Sequence, residues 1–194
     1  FHHEGKFLEP RGEDVCEQLP LVMNAENQWW GLNESETMGW AEGEEFLALH
    51  YDKIGPLKGW NSCGVALNQW EALDMSDVYS ASALTFRLHG QFSPINFSIW
   101  SATGAPRQIR QRLSLENCLQ FEEGIWSCAV PIKQFDQHEQ FNWSATREVR
   151  LTVTEDVDAA IHEFQWSEYR GNVNKVHRWI CLLYTSPSPR DGTS

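Results

Sequence analysis

The chain has 194 residues, enough for one domain of ordinary size, and carries 15 Lys plus Arg against 27 Asp plus Glu, a formal net charge of −12. Nucleic acid and anionic membrane surfaces both need a basic face, so neither is expected as a partner, and no apolar run reaches the length of a spanning helix. Ten tryptophans, within 12% aromatic residues, argue against disorder and for a packing or stacking role.

Residues 1–18 are rich in acidic side chains and are set apart as an N-terminal extension. From residue 19 onward, apolar positions alternate with period two between Gly, Pro, Asn, Asp and Ser punctuation, which is the pattern of an all-β chain. Strands are predicted at 19–23, 46–52, 64–69, 83–88, 95–101, 109–115, 125–131, 148–154 and 161–166, with a turn at 73–79 and a short helical turn near 133–135. Strands at this spacing predict a two-sheet antiparallel β-sandwich over residues 19–180. From Cys181 to Asp191 the sequence reads CLLYTSPSPRD. It resembles the translation of a sequencing-library adapter, so residues 181–194 are expected to be an artefactual or disordered tail.

Cys16, Cys63, Cys118 and Cys128 remain once the tail is set aside. Cys118 and Cys128 flank LQFEEGIWS, which reads as strand, turn and strand. A hairpin of that length brings them opposite each other, either as a disulfide or as two reduced thiols. The chain contains no CxxC pair of the zinc-ribbon kind.

Alternation also assigns faces. Leu84, Phe86 and Leu88 point one way and Thr85, Arg87 and His89 the other. Ile95, Phe97 and Ile99 point one way and Asn96, Ser98 and Trp100 the other. Val149, Leu151 and Val153 are inward, while Arg150, Thr152 and Thr154 are outward. The short turn from His89 to Pro94 is expected to pair strands 83–88 and 95–101 antiparallel. That pairing places Arg87, His89, Asn96, Ser98 and Trp100 on one outward face.

The phrases LPLVMNAENQWWG, EFLALHYD, GVALNQW, LDMSDVYSASALTFRLHG, IWSCAVPIKQFD, EVRLTVTE and IHEFQW follow in a familiar order. The run from Phe46 to Trp166 resembles the galactose-binding-domain-like jelly rolls that serve as carbohydrate-binding modules. The family 11 type and the non-catalytic N-terminal sandwich of agarases are the nearest in character. The resemblance implies a secreted, non-catalytic module that holds a polysaccharide or oligosaccharide by aromatic stacking and polar contacts on a sheet face. Such modules can be part of a larger polysaccharide-degrading enzyme, and the adapter-like tail makes a missing C-terminal catalytic domain an expectation. No cofactor is required. The resembled fold often carries a structural calcium ion near its first and last strands, for which Glu26, Glu45 and Glu163 could supply oxygens.

Among the tryptophans, Trp126 matches the structural Trp of that fold, and Trp143 and Trp166 are read as packing. Trp29, Trp30, Trp40, Trp60 and Trp70 fall near strand ends or in loops and are expected to be exposed. Trp100 is outward by alternation. Sugars stack a C–H face on indole and offer hydroxyls to planar polar groups. The carbohydrate-binding set is therefore Trp100, Arg87, His89, Asn96 and Ser98, with Trp60 and Trp30 at the loops. Catalytic motifs are lacking: there is no GxSxG, no Walker loop and no HExxH. The alternatives are a sandwich-fold polysaccharide lyase or glycoside hydrolase working through Arg87, His89 and Tyr side chains, and an adhesion or assembly domain whose tryptophans bury a protein partner.

Overall fold

The structure, a computed structural model, describes residues 19–24, 27–32, 38–43, 45–52 and 61–169. The expected extension at 1–18, the tail at 181–194, Glu26 and Trp60 lie outside these residues. Twelve strands follow in chain order: β1 (Leu21–Val22), β2 (Gln28–Trp30), β3 (Met38–Glu42), β4 (Phe46–Tyr51), β5 (Ser62–Ala66), β6 (Ser82–Gly90), β7 (Asn96–Ser101), β8 (Gln108–Arg112), β9 (Cys118–Glu122), β10 (Ile125–Pro131), β11 (Thr146–Thr152) and β12 (Val157–Glu168). Only single turns of 3-10 helix interrupt them, one at Ile132–Gln134 where a helical turn was expected.

Two antiparallel sheets face each other, as the alternation predicted. One runs β3-β4-β12-β6-β10-β9, with β1 paired to β12. The other runs β2-β5-β11-β7-β8. Inward residues of both sheets interleave in one core. Phe86 of β6, Phe97 of β7 and Phe164 of β12 meet there with ring centroids 5.5 to 6.0 Å apart. Removing each such side chain from water contributes roughly 1.5–3 kcal/mol. Trp166 is fully buried, and its indole N–H donates to Ser82 Oγ at 2.7 Å, so burial leaves no polar atom of this ring unpaired. Trp143 is buried beside it, stacked on Tyr79 at 4.4 Å. Trp126 is half-buried, edge-on to Phe92 at the rim of the core.

Cys118 and Cys128 stand directly opposite in the β9–β10 register and are joined by a disulfide, with Cα atoms 4.1 Å apart. β9 is an edge strand, so the bridge fastens a margin that has a neighbour on one side only. Cys63 is buried and reduced, and burial pushes its thiol pKa well above the ordinary value.

Two expectations are corrected. β6 and β7 do not pair: β6 lies between β12 and β10, and β7 between β11 and β8. The connection from Gly90 to Ile95 crosses from one sheet to the other instead of turning a hairpin. Both strands still point their apolar faces at the same core, from opposite sides. Trp40, expected to be exposed, is 1% exposed and packs in the core on β3.

Candidate functional site

The outer face of the five-stranded sheet gathers the aromatic and polar side chains. Register fixes the rows. Trp30 of β2 lies opposite Gly64 of β5, Gly64 opposite Arg150 of β11, Arg150 opposite Ser98 of β7, and Ser98 opposite Arg110 of β8. In the next outward row Glu148 stands opposite Trp100, and Trp100 opposite Gln108. Because side chains alternate across a strand, these residues share the face opposite Ile99, Ile109 and Val149, which are buried.

Trp100 folds back along its own strand, and its indole N–H donates to Ser98 Oγ at 3.0 Å. The Arg150 guanidinium lies between two indoles, 3.6 Å from the Trp100 ring centroid and 5.0 Å from that of Trp30. Glu148 is fully buried and holds this arrangement together. Its Oε2 accepts from Arg150 Nε at 3.0 Å and also from the Trp30 indole N–H, while its Oε1 accepts from Arg150 Nη2 at 3.1 Å. A buried carboxylate needs such partners, and the forked guanidinium supplies two at once.

Gly64 explains why Trp30 can lie flat. A Cβ at this position would sit 2.6 Å from Trp30 Nε1 and 2.8 Å from the neighbouring ring carbon Cε2. Any side chain would lift the ring off β5. Beside the platform is an open hollow of about 340 Å³, bordered by Trp100, Asn96, Ser98, Gln108, Arg110, Arg150, Ser62 and Thr152. An indole, amides, hydroxyls and guanidinium groups around one shallow hollow are the chemistry that a sugar ring and its hydroxyls require.

Of the predicted residues, Trp100, Asn96, Ser98 and Trp30 meet on this face. Arg87 and His89 do not, because β6 belongs to the other sheet. There the Arg87 guanidinium lies 5.7 Å from the Phe121 ring centroid, and the His89 ring is 4.0 Å from that of His162. Burial, and the neighbouring His89, push the His162 pKa below its ordinary value. Trp29 is half-buried, with its indole N–H on Asn24 O at 3.1 Å, and Trp70 is exposed just beyond the end of β5. Glu45 and Glu163 border one cavity between β1, β4 and β12. Among the described residues no group of three or more His, Cys, Asp or Glu side chains comes together to hold a metal ion. Sequence reasoning missed Glu148, Gly64, Gln108 and Arg110. Alternation already put Arg150 and Thr152 outward, and carried one step back it puts Glu148 there too, but not beside Trp100.

A β-sandwich with an aromatic and polar sheet face has the architecture of a sugar-binding domain. The chain belongs to the carbohydrate binding domain 30 family, whose model matches residues 22–168. The match is to family 30 and not to the family 11 type. Two crystal structures of family 30 carbohydrate-binding modules share the fold. One has a TM-score of 0.51 at 10% identity, covering 79% of this chain and 86% of that one. The other has a TM-score of 0.51 at 12% identity, covering 77% and 94%. The family 30 module of a cellulosomal cellulase of Clostridium thermocellum is also similar, with a TM-score of 0.47 at 13% identity over 79% of this chain and 95% of that one. No curated protein matches this chain. The protein is a carbohydrate-binding module.

Proposed function

We propose that the outer face of the five-stranded sheet is where this module holds its polysaccharide, with sugar rings stacked on Trp100 and Trp30. The observation that carries the reading is the continuous row Trp30–Arg150–Trp100, held flat by Glu148 and Gly64. Asn96, Gln108 and Arg110 stand beside it as partners for sugar hydroxyls. Hydrolysis of a glycosidic bond ordinarily takes two carboxyl groups across the scissile bond. Among the described strand residues on this face, Glu148 is the one carboxylate, and it is buried under Arg150. In this reading the module binds without cleaving, and serves a larger polysaccharide-degrading protein outside the cell. The Cys118–Cys128 disulfide accords with an oxidising compartment.

Native gel electrophoresis through a panel of soluble polysaccharides, with pull-down on insoluble ones, tests this reading. The wild-type protein should be retarded by its ligand and leave polymer length unchanged. Trp100→Ala should lose on the order of 1–3 kcal/mol of binding, roughly ten- to a hundredfold in affinity, while keeping its fold. A folded Trp100→Ala variant with full retention would place the site elsewhere.

A further inference from the structure

We propose that the polysaccharide taken by this face is anionic, carrying carboxylate or sulfate groups; the proposal rests on the reading of the face given above. The chain carries a net charge of −12, yet the described strand positions of this face carry more arginine than carboxylate. Its strand positions present Arg110 and Arg112 on β8 and Arg150 on β11, against the single carboxylate of Glu148. Glu148 is already taken by Arg150 and by the Trp30 indole N–H. Arg110 and Arg112 are therefore left without a carboxylate partner among the strand positions of this face; the nearest acid along the β8 edge is Asp136, whose backbone N–H donates to Arg110 O at 3.2 Å. Both are exposed, and neither side chain has a hydrogen-bond or ion-pair partner among the described residues.

Their placement points to a ligand. Arg110 lies in register with Ser98, the residue on which the Trp100 indole rests, and borders the hollow beside it. Arg112 is two residues further along the same face, about 7 Å away. A sugar ring stacked on Trp100 brings its substituents alongside this pair. Amides and hydroxyls suffice for neutral hydroxyl groups. A guanidinium fork is the group that matches a carboxylate or a sulfate through two parallel N–H donors. The protein's overall charge repels a polyanion, so a preference for one has to come from local contacts such as these.

The test uses matched derivatives of one backbone at a time: hydroxyethyl, carboxymethyl and sulfated cellulose, then dextran, carboxymethyl dextran and dextran sulfate. Binding is measured at low salt and again in about 0.5 M NaCl, where the Debye length falls to a few ångströms. The expected result is at least about fivefold tighter binding to a charged derivative than to its neutral counterpart. High salt and the Arg110→Gln/Arg112→Gln double variant should each abolish that preference. The carboxymethyl and sulfate arms show which anion is taken. Equal binding of neutral and charged derivatives, dependent on Trp100, would overturn the anionic ligand and leave the binding face standing. A charge preference that survives in the double variant would also overturn it. Binding that ignores Trp100 altogether would overturn both readings.

Discussion

The guanidinium of Arg150 rests on the ring of Trp100, 3.6 Å from its centroid, while the same group is gripped from behind by Glu148. The cation is thus both an anchor for a buried carboxylate and part of the aromatic face proposed to hold the ligand. Arg150→Ala should cost about 1–3 kcal/mol of stability, because Glu148 would keep only the Trp30 N–H as partner. Arg150→Lys should recover part of the stability but not the affinity, since an ammonium lacks the planar fork that lies against the indole. Urea unfolding paired with a binding isotherm separates the two. Wild-type stability in Arg150→Ala would show that Glu148 does not need its ion pair.

Gly64 offers a test that touches no ligand atom. Gly64→Ala places a methyl group 2.6 Å from Trp30 Nε1, closer than side-chain contacts allow, so the indole must tilt. Binding should weaken about as much as in Trp30→Ala, and the Trp30 to Glu148 hydrogen bond should be lost. An unchanged affinity would mean that Trp30 is not part of the platform.

Reduction of the Cys118–Cys128 bridge should destabilise the domain by about 2–3 kcal/mol, as expected for a loop of this length in the chain-entropy model. Thermal melts with and without a reductant measure this. Peptide mapping after native alkylation should find Cys63 unmodified, since it is buried with its thiol held protonated.

The expectation about strand partners shows where the pattern in a sequence stops. Alternation placed Phe86, Phe97 and Trp100 on the correct side of their strands, because in-versus-out is a property of one strand and its solvent. It said nothing about which strand lies alongside. The link from Gly90 to Ile95 is long enough either to turn a hairpin or to cross the sandwich, and both solutions bury the same residues. Hence Trp100, Asn96 and Ser98 were legible as a set, whereas Arg87 and His89 were assigned to the wrong side of the molecule. Trp40 was illegible for another reason. Only Met38 alternates with it, and Glu34, Glu36, Glu42, Glu44 and Glu45 around them give the stretch the look of an exposed loop. The Glu148–Arg150 pair reads locally as two outward charges, and only the register with Trp30 and Trp100 gives it a role.

The far sheet carries its own pH response. His162 packs against His89 and Phe46, with Arg87, Glu163 and Glu45 close enough to act on its charge. Its folded pKa lies below the ordinary 6.5, so the unfolded chain binds the proton more readily. The stabilisation is complete above about pH 6.5 and is lost as pH falls through the folded value. Melting temperature should drop between pH 7.5 and pH 5, and His162→Gln should reduce that drop. A pH profile identical in wild type and variant would show that His162 does not contribute. Since Arg87 and His89 lie on this sheet, polysaccharide affinity in Arg87→Ala or His89→Ala should match that of the wild type.

Gly64 has a consequence for how such a protein can diverge. A position with no side chain decides how the indole next to it can lie. Descendants that keep a large flat ring at position 30 cannot accept a larger residue at 64, and those that lose the ring are released from that restriction. The two positions should therefore change together, and a survey that scores only ligand-contacting residues would pass over half of the pair.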